Sequence, residues 1–228
     1  MTPTRPGGGE RVPPRLDLRM DPDADLAPVV GHLERGGAIA YPTETVYGLG
    51  GACTPAGVAR VRALKRREGR KPLIALVASA DAVPRLGWTD GARELATIFW
   101  PGAVTLVLPD PTRSFPAGVR DATTGAVAVR VSPHPVVERL LAALGAPLTS
   151  TSLNRSGAAP ATSGDEADRV VRELGGDDVW VLDAGTLPPS GPSTVVDCTG
   201  PEPVVIRAGT VPVGRLRCVI PEIHERPI

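Results

Sequence analysis

Three stretches of the chain are apolar almost throughout: LIALVA at 73–78, AVTLVL at 103–108 and AVAVRV at 126–131. A strand with one face in water alternates apolar and polar residues, so strands like these need cover on both faces. The cover is encoded around and between them. Apolar residues recur at helical spacing in 25–35 (Leu26, Val29, Val30, Leu33), in 54–65 (Val58, Val61, Leu64) and in 135–144 (Val136, Val137, Leu140, Leu141, Leu144). Helices are also expected over 90–100 and 163–174. Stop and start signals bound them: Gly36-Gly37, Thr54-Pro55, Pro101-Gly102 and Gly145. Further strands are expected at 16–18, 38–41, 147–152, 179–182, 194–198 and 204–207. This alternation predicts an α/β fold with a twisted mixed β-sheet flanked by helices.

The chain has 228 residues, which suits one large domain. A flexible tail is expected over 1–15, a single domain over 16–214 and a second tail over 215–228. The Pro/Gly-rich stretch GTLPPSGP at 185–192 reads as a loop, because too few residues follow it for another domain. The N-terminal MTPTRPGGGERVPPR has no apolar core and is not a signal peptide, and no run of 18 apolar residues exists.

Formal net charge is zero, which excludes a global basic field for nucleic acid but leaves room for a local patch. Three cysteines (Cys53, Cys198, Cys218) lie far apart without a CxxC pair, and the histidines (His32, His134, His224) are scattered. Free thiols in a reducing cytoplasm fit this better than disulfides or zinc. The basic residues are 23 arginines and two lysines, and both lysines, Lys65 and Lys71, fall in KRREGRK at 65–71.

Several chemistries are unsupported. There is no GxxxxGK[ST], no GxSxG, no complete GxGxxG and no Ser-x-x-Lys. What remains is a set of polar segments at the ends of apolar strands: 42–47 within YPTETVYGLG, KRREGRK, Arg130, TSTSLN at 149–154, and Pro192-Ser193-Thr194 followed by Arg207. In an extended chain Ser150, Ser152 and Asn154 share a face and form a neutral hydrogen-bonding rail. The same residues also suit a turn that bonds its own backbone. KRREGRK likewise has two readings. Cations belong at a helix C-terminus, yet five of them in seven residues repel one another and fit a bound polyanion.

Taken together, the segments resemble the YrdC-like domain of threonylcarbamoyl-adenylate synthases. The resemblance runs from about residue 25 to residue 212. It is carried by YPTETVYGLG, KRREGRKPL, WPGAVTLVL, VAVRVSPHP, STSLNRSG and PSTVVD…VIRAG. It implies a YrdC-like fold with a concave basic groove. Lys65 and Arg67 match the family's Lys-x-Arg pair and are the implied catalytic residues. With Lys71, Ser152, Asn154 and Arg207 they form the implied ATP site, while Thr45, Arg130, Ser150 and Ser193 match positions that hold L-threonine. Two departures stand out: Glu68 where many members have Pro, and Leu76 near a threonine-contacting His of long-form members. The pattern resembles the short, single-domain bacterial type.

The implied reaction joins L-threonine, bicarbonate or CO2, and ATP into threonylcarbamoyl-AMP and pyrophosphate. It is the first step of N6-threonylcarbamoyladenosine formation in tRNA. The resemblance also implies hand-off to a tRNA threonylcarbamoyl transferase complex, and a cytoplasmic location is expected. No protein-held metal is expected; Mg²⁺ enters with ATP on its phosphates. Tyr41 and Tyr47 are expected to supply apolar walls of the amino-acid pocket. Two other functions compete: an RNA-binding module using the same groove, and a paralogue with another carbamoyl or acyl substrate.

Overall fold

A computed structural model describes residues 13–66 and 71–226. Among these, eleven strands are formed: β1 (Arg15–Asp17), β2 (Ala38–Pro42), β3 (Tyr47–Gly51), β4 (Ile74–Leu76), β5 (Val104–Pro109), β6 (Ala126–Arg130), β7 (Leu148–Ser152), β8 (Trp180–Asp183), β9 (Thr194–Asp197), β10 (Val204–Arg207) and β11 (His224–Glu225). Six α-helices accompany them: α1 (Ala27–Glu34), α2 (Pro55–Leu64), α3 (Asp90–Phe99), α4 (Pro135–Leu144), α5 (Gly164–Glu173) and α6 (Val213–Arg217). The strands join one mixed sheet in the order β1-β8-β2-β3-β7-β4-β6-β5-β9-β10-β11.

The expected helices form where their end signals stand. Thr54 caps α2 by accepting from the Gly57 amide, with Pro55 as its first residue. Gly145, in the left-handed region at φ 62°, ends α4. Strand pleating then sorts side chains between two cores. On β2, Ala38 and Ala40 join one core while Ile39 and Tyr41 join the other. The first core packs α2, α3 and α5 against the sheet through Val61, Leu95 and Val171. The second packs α1 and α4 through Val29, Leu33, Val137 and Leu140, around β2 and β8.

This division corrects one expectation. β5 and β6 are apolar in sequence, yet helices cover only one of their faces. The two helices of the second core sit over one half of the sheet and leave the other half bare.

Two further differences concern elements. β3 was not expected as a strand, because Gly48, Gly50 and Gly51 are poor strand formers. They are there for closeness: a Cβ on Gly50 would lie 1.9 Å from the Thr149 carbonyl oxygen. Thr149 completes the join, its hydroxyl accepting from the Gly51 amide and donating to the Gly51 carbonyl at 2.9 and 3.0 Å. At the other end, residues 215–226, expected as a tail, pack on the molecule. Leu216 and Ile223 are buried in the first core, and β11 pairs with β10.

Candidate active site

The bare half of the sheet is the floor of a cavity of about 640 Å³. Alternate residues of β5 and β6 reach it, and so do consecutive residues at the ends of β7 (Ser150, Thr151, Ser152) and β10 (Ile206, Arg207). β5 contributes Thr105 and Val107, β6 Ala128 and Arg130, and β7 Ser150 and Ser152. Ser193 enters just before β9, and Arg207 closes β10. The β2–β3 turn walls one side with Thr43, Thr45 and Val46, and Lys71 stands before β4. Thus Thr45, Lys71, Arg130, Ser150, Ser152, Ser193 and Arg207, drawn from distant segments, share one hollow.

Lys65 and Asn154 do not line the cavity; they meet each other next to Ser152, which does. The Lys65 ammonium donates to the Ser152 carbonyl at 3.0 Å, the Asn154 carbonyl at 2.5 Å and Asn154 Oδ1 at 2.6 Å. Ser152 Oγ donates to the same Oδ1 at 3.0 Å, and Asn154 Nδ2 donates to the Ala158 carbonyl. The expected rail therefore ends at Ser152. β7 stops there, and Asn154 turns its amide to Lys65 and to the local backbone. Arg67 and Glu68 lie outside the described residues.

Two guanidinium groups mark the opposite part of the site. Arg207 donates through Nε and Nη2 to the Ser193 carbonyl and through Nη2 to Ser193 Oγ, at 3.1, 2.7 and 3.0 Å. Ser193 Oγ in turn shares a 2.9 Å hydrogen bond with Thr105 Oγ1. Burial, and then the neighbouring Arg130, hold the Arg207 pKa below its ordinary value. Arg130 lies 3.3 Å from Glu44 Oε1 in an ion pair. The Thr43 and Thr45 hydroxyls are 3.0 Å apart, and Thr43 Oγ1 donates to the Val46 carbonyl, which fixes the turn.

Both tyrosines depart from expectation. Tyr41 and Tyr47 are fully buried and neither lines the cavity. Tyr41 donates to the Thr149 carbonyl and packs against Gly48, where a Cβ would meet its ring at 3.2 Å. Tyr47 donates to the Gly185 carbonyl, and burial pushes its phenol up to about 12. Tyr47 is packed in the first core behind the floor, and Tyr41 in the second core beside the cavity. Thr105, which lines the cavity, and Ser132, which bonds Glu44 behind it, were not selected from sequence; Thr43 and Glu44 fell in the 42–47 segment without being chosen as contacts. Thr105 carried a signal, as the one polar residue of VTLVLP at even spacing from Val107.

Among the described residues no three His, Cys, Asp or Glu side chains gather to hold a metal ion, and no carboxylate lines the cavity. The lining instead combines hydroxyls and cations with apolar strand residues. Such a surface suits an anionic ligand that carries an apolar part.

The Sua5_yciO_yrdC family model, described as "Telomere recombination", matches residues 32–209. A protein of Chromohalobacter salexigens named threonylcarbamoyl-AMP synthase is 41% identical over 177 residues, covering 75% of this chain and 91% of its own. Sua5 of P. abyssi, solved in complex with L-threonine, superposes with a TM-score of 0.80 at 30% identity; the match takes in 95% of this chain and 63% of that one. This chain thus spans less than two thirds of the P. abyssi protein. E. coli YciO superposes with a TM-score of 0.72 at 25% identity, over 82% of this chain and 89% of its own. With a family model over residues 32–209, a relative 41% identical over 91% of its own length, and a fold shared with solved relatives, the chain belongs to the Sua5/YciO/YrdC family.

Proposed function

We propose that this chain is a threonylcarbamoyl-AMP synthase, a nucleotidyltransferase that makes the first intermediate of N6-threonylcarbamoyladenosine in tRNA. The reaction is L-threonine + bicarbonate + ATP → threonylcarbamoyl-AMP + pyrophosphate + water. The observation that carries it is the meeting of Lys65 with Asn154 next to Ser152, which lines the hollow that Arg130 and Arg207 also face. The names of the relatives support the same activity, and L-threonine is the ligand of the P. abyssi protein.

In this reading the cavity is a concave groove whose cations take an anionic substrate. Lys65, Lys71, Ser152 and Asn154 face the triphosphate, with Arg207 toward the nucleotide; Arg67 keeps the phosphate role that the family's Lys-x-Arg pair implies. Arg130 pairs with the threonine carboxylate, for which a planar guanidinium is well shaped. Thr45, Ser150 and Ser193 orient the amino acid. The threonine amine takes up CO2 as a carbamate. A carbamate oxygen then attacks the α-phosphorus, and pyrophosphate leaves in line. No protein nucleophile is required. The residues supply position and fixed charge, which account for large rate factors in acyl and phosphoryl chemistry.

The cavity wall does not fit a protein-held metal, so no step is assigned to one; Mg²⁺ would be held by phosphate oxygens. One catalytic domain extends from residue 16 through the packed segment around Ile223. Among the described residues no helix is long and apolar enough to cross a membrane. A cytoplasmic site of action and hand-off of the labile adenylate to a transferase complex complete the proposal, and weak RNA contact would accompany that hand-off.

The test is incubation of the protein with ATP, ¹³C-bicarbonate and L-threonine, followed by mass spectrometry. Threonylcarbamoyl-AMP carrying the heavy carbon is expected. ATP turnover with a different acyl or carbamoyl donor would favour the paralogue. Salt-sensitive RNA binding without any turnover would favour the RNA-binding module.

A further inference from the structure

The reaction as written gives Glu44 no task, although it stands in the turn that walls the cavity. Two contacts hold its carboxylate in place. Ser132 Oγ donates to Oε2 at 2.5 Å, and Arg130 Nη1 lies 3.3 Å from Oε1. Oε1 is buried and makes no hydrogen bond, so the Arg130 contact is a charge pair without an aligned donor. Glu44 does not line the cavity, whereas Arg130 does.

Arg130 needs such a counter-charge. Its side chain is only 6% exposed, its Nε is buried without a hydrogen-bond partner, and Arg207 is its cationic neighbour. Burial and like-charge repulsion both oppose a guanidinium in this place. Left alone, it would rotate toward solvent or capture a stray anion. The register of the strands cannot prevent this, since it fixes the backbone and not four side-chain torsions. Glu44 can, because Ser132 fixes the carboxylate and β6 carries Arg130 only two residues earlier.

Building on the threonine-site reading above, we propose that Glu44 is a positioning residue: together with Ser132 it holds the Arg130 guanidinium from behind, leaving its other donors toward the cavity for the carboxylate of the amino-acid substrate. Glu44 touches no substrate, so its effect passes through Arg130 alone. A purely structural ion pair would support the fold without caring whether the ligand carries a carboxylate.

The test therefore compares L-threonine with L-threoninol, in which a hydroxymethyl group replaces the carboxylate. Their affinities are measured by calorimetry with a non-hydrolysable ATP analogue present, for wild type, Glu44→Gln, Ser132→Ala and Arg130→Ala. Wild type is expected to prefer L-threonine by about tenfold or more, as hydrogen bonds to charged groups give. In Glu44→Gln that preference falls roughly fivefold or more, while threoninol and nucleotide affinities stay within about twofold, because the lost interaction is carboxylate-specific. Ser132→Ala lowers the preference in the same direction and adds little on top of Glu44→Gln, since the two act in one chain. An unchanged preference in Glu44→Gln, beside a collapsed one in Arg130→Ala, overturns the role of Glu44 and leaves the threonine site standing. An unchanged preference in Arg130→Ala overturns both. If circular dichroism shows Glu44→Gln unfolded, Ser132→Ala decides: reduced preference supports the proposal and unchanged preference ends it.

Discussion

Lys65 follows the last turn of α2, and its ammonium is met by three oxygens of the 152–154 segment. These contacts fix a point charge before any phosphate arrives, so little reorganisation is left for the reaction itself. Lys65→Ala is therefore expected to lower kcat/KM by about 10²-fold or more, roughly 3 kcal/mol, by analogy with removing one preorganised donor. Lys65→Arg should rescue poorly, because a planar fork does not replace a compact ammonium among three convergent acceptors. Threonine-dependent pyrophosphate release measures both, and near-wild-type turnover in the alanine variant would contradict the role. That Lys65 shares a site with Ser152 and Asn154 was expected only from the family resemblance, since composition and spacing left both segments with two readings. Ser132 was not legible, and Thr105 only as a faint signal. A lone hydroxyl in an apolar strand looks ordinary until the β5–β9 register sets it beside Ser193, 88 residues away.

At the scale of elements, helix ends were read well while the strands β3 and β11 were missed, for a common reason. Gly, Pro and capping hydroxyls act on their own neighbours, so α2, α4 and α5 could be bounded locally. β3 depends on what lies across from it: Gly50 is required by the Thr149 carbonyl, a contact between distant segments. The start of α5 shows how a local device can be tested. Ser163 accepts from the Glu166 amide, while Glu166 Oε2 accepts from the Thr162 amide at 2.8 Å and from its hydroxyl at 3.0 Å. Those hydrogen bonds hold the Glu166 carboxyl below its ordinary value of 4.5, the Thr162 amide first and its hydroxyl second. A depressed folded pKa gives stability that is present above the unfolded value and lost as pH falls through the folded one. Glu166→Gln should therefore be less stable than wild type at pH 7, and the gap should close on acidification below about pH 4.5. Urea unfolding at a series of pH values measures it. A gap that stays constant down to pH 2–3 would show that the carboxylate charge contributes nothing.

The whole molecule is organised by unequal cover: helices over one face, helices over half of the other, and a functional hollow on what remains. Sequence patterning predicts layers, but it cannot say how far along a wide sheet two helices will reach. The free half must therefore be held flat and firm without helices above it. Part of that support comes from the C-terminal segment. Leu216 is fully buried in the first core, Ile223 is 2% exposed, and β11 pairs with β10, the strand that presents Arg207 to the cavity. If this segment belongs to the same cooperative unit, removing its anchor must weaken everything at once. Leu216→Ala should cost about 2–5 kcal/mol, the range for truncating a buried leucine. For a chain of this size that corresponds to a fall in Tm of roughly 5–15 °C. Trp88 and Trp100 pack against the same core, so tryptophan fluorescence and far-ultraviolet circular dichroism should lose signal in one coincident transition. A tail merely resting on the surface predicts otherwise: Tm would hold, and a small early transition would separate from the main one. That outcome would return residues 215–226 to the status of an appendage and leave β10 to be stabilised by β9 alone.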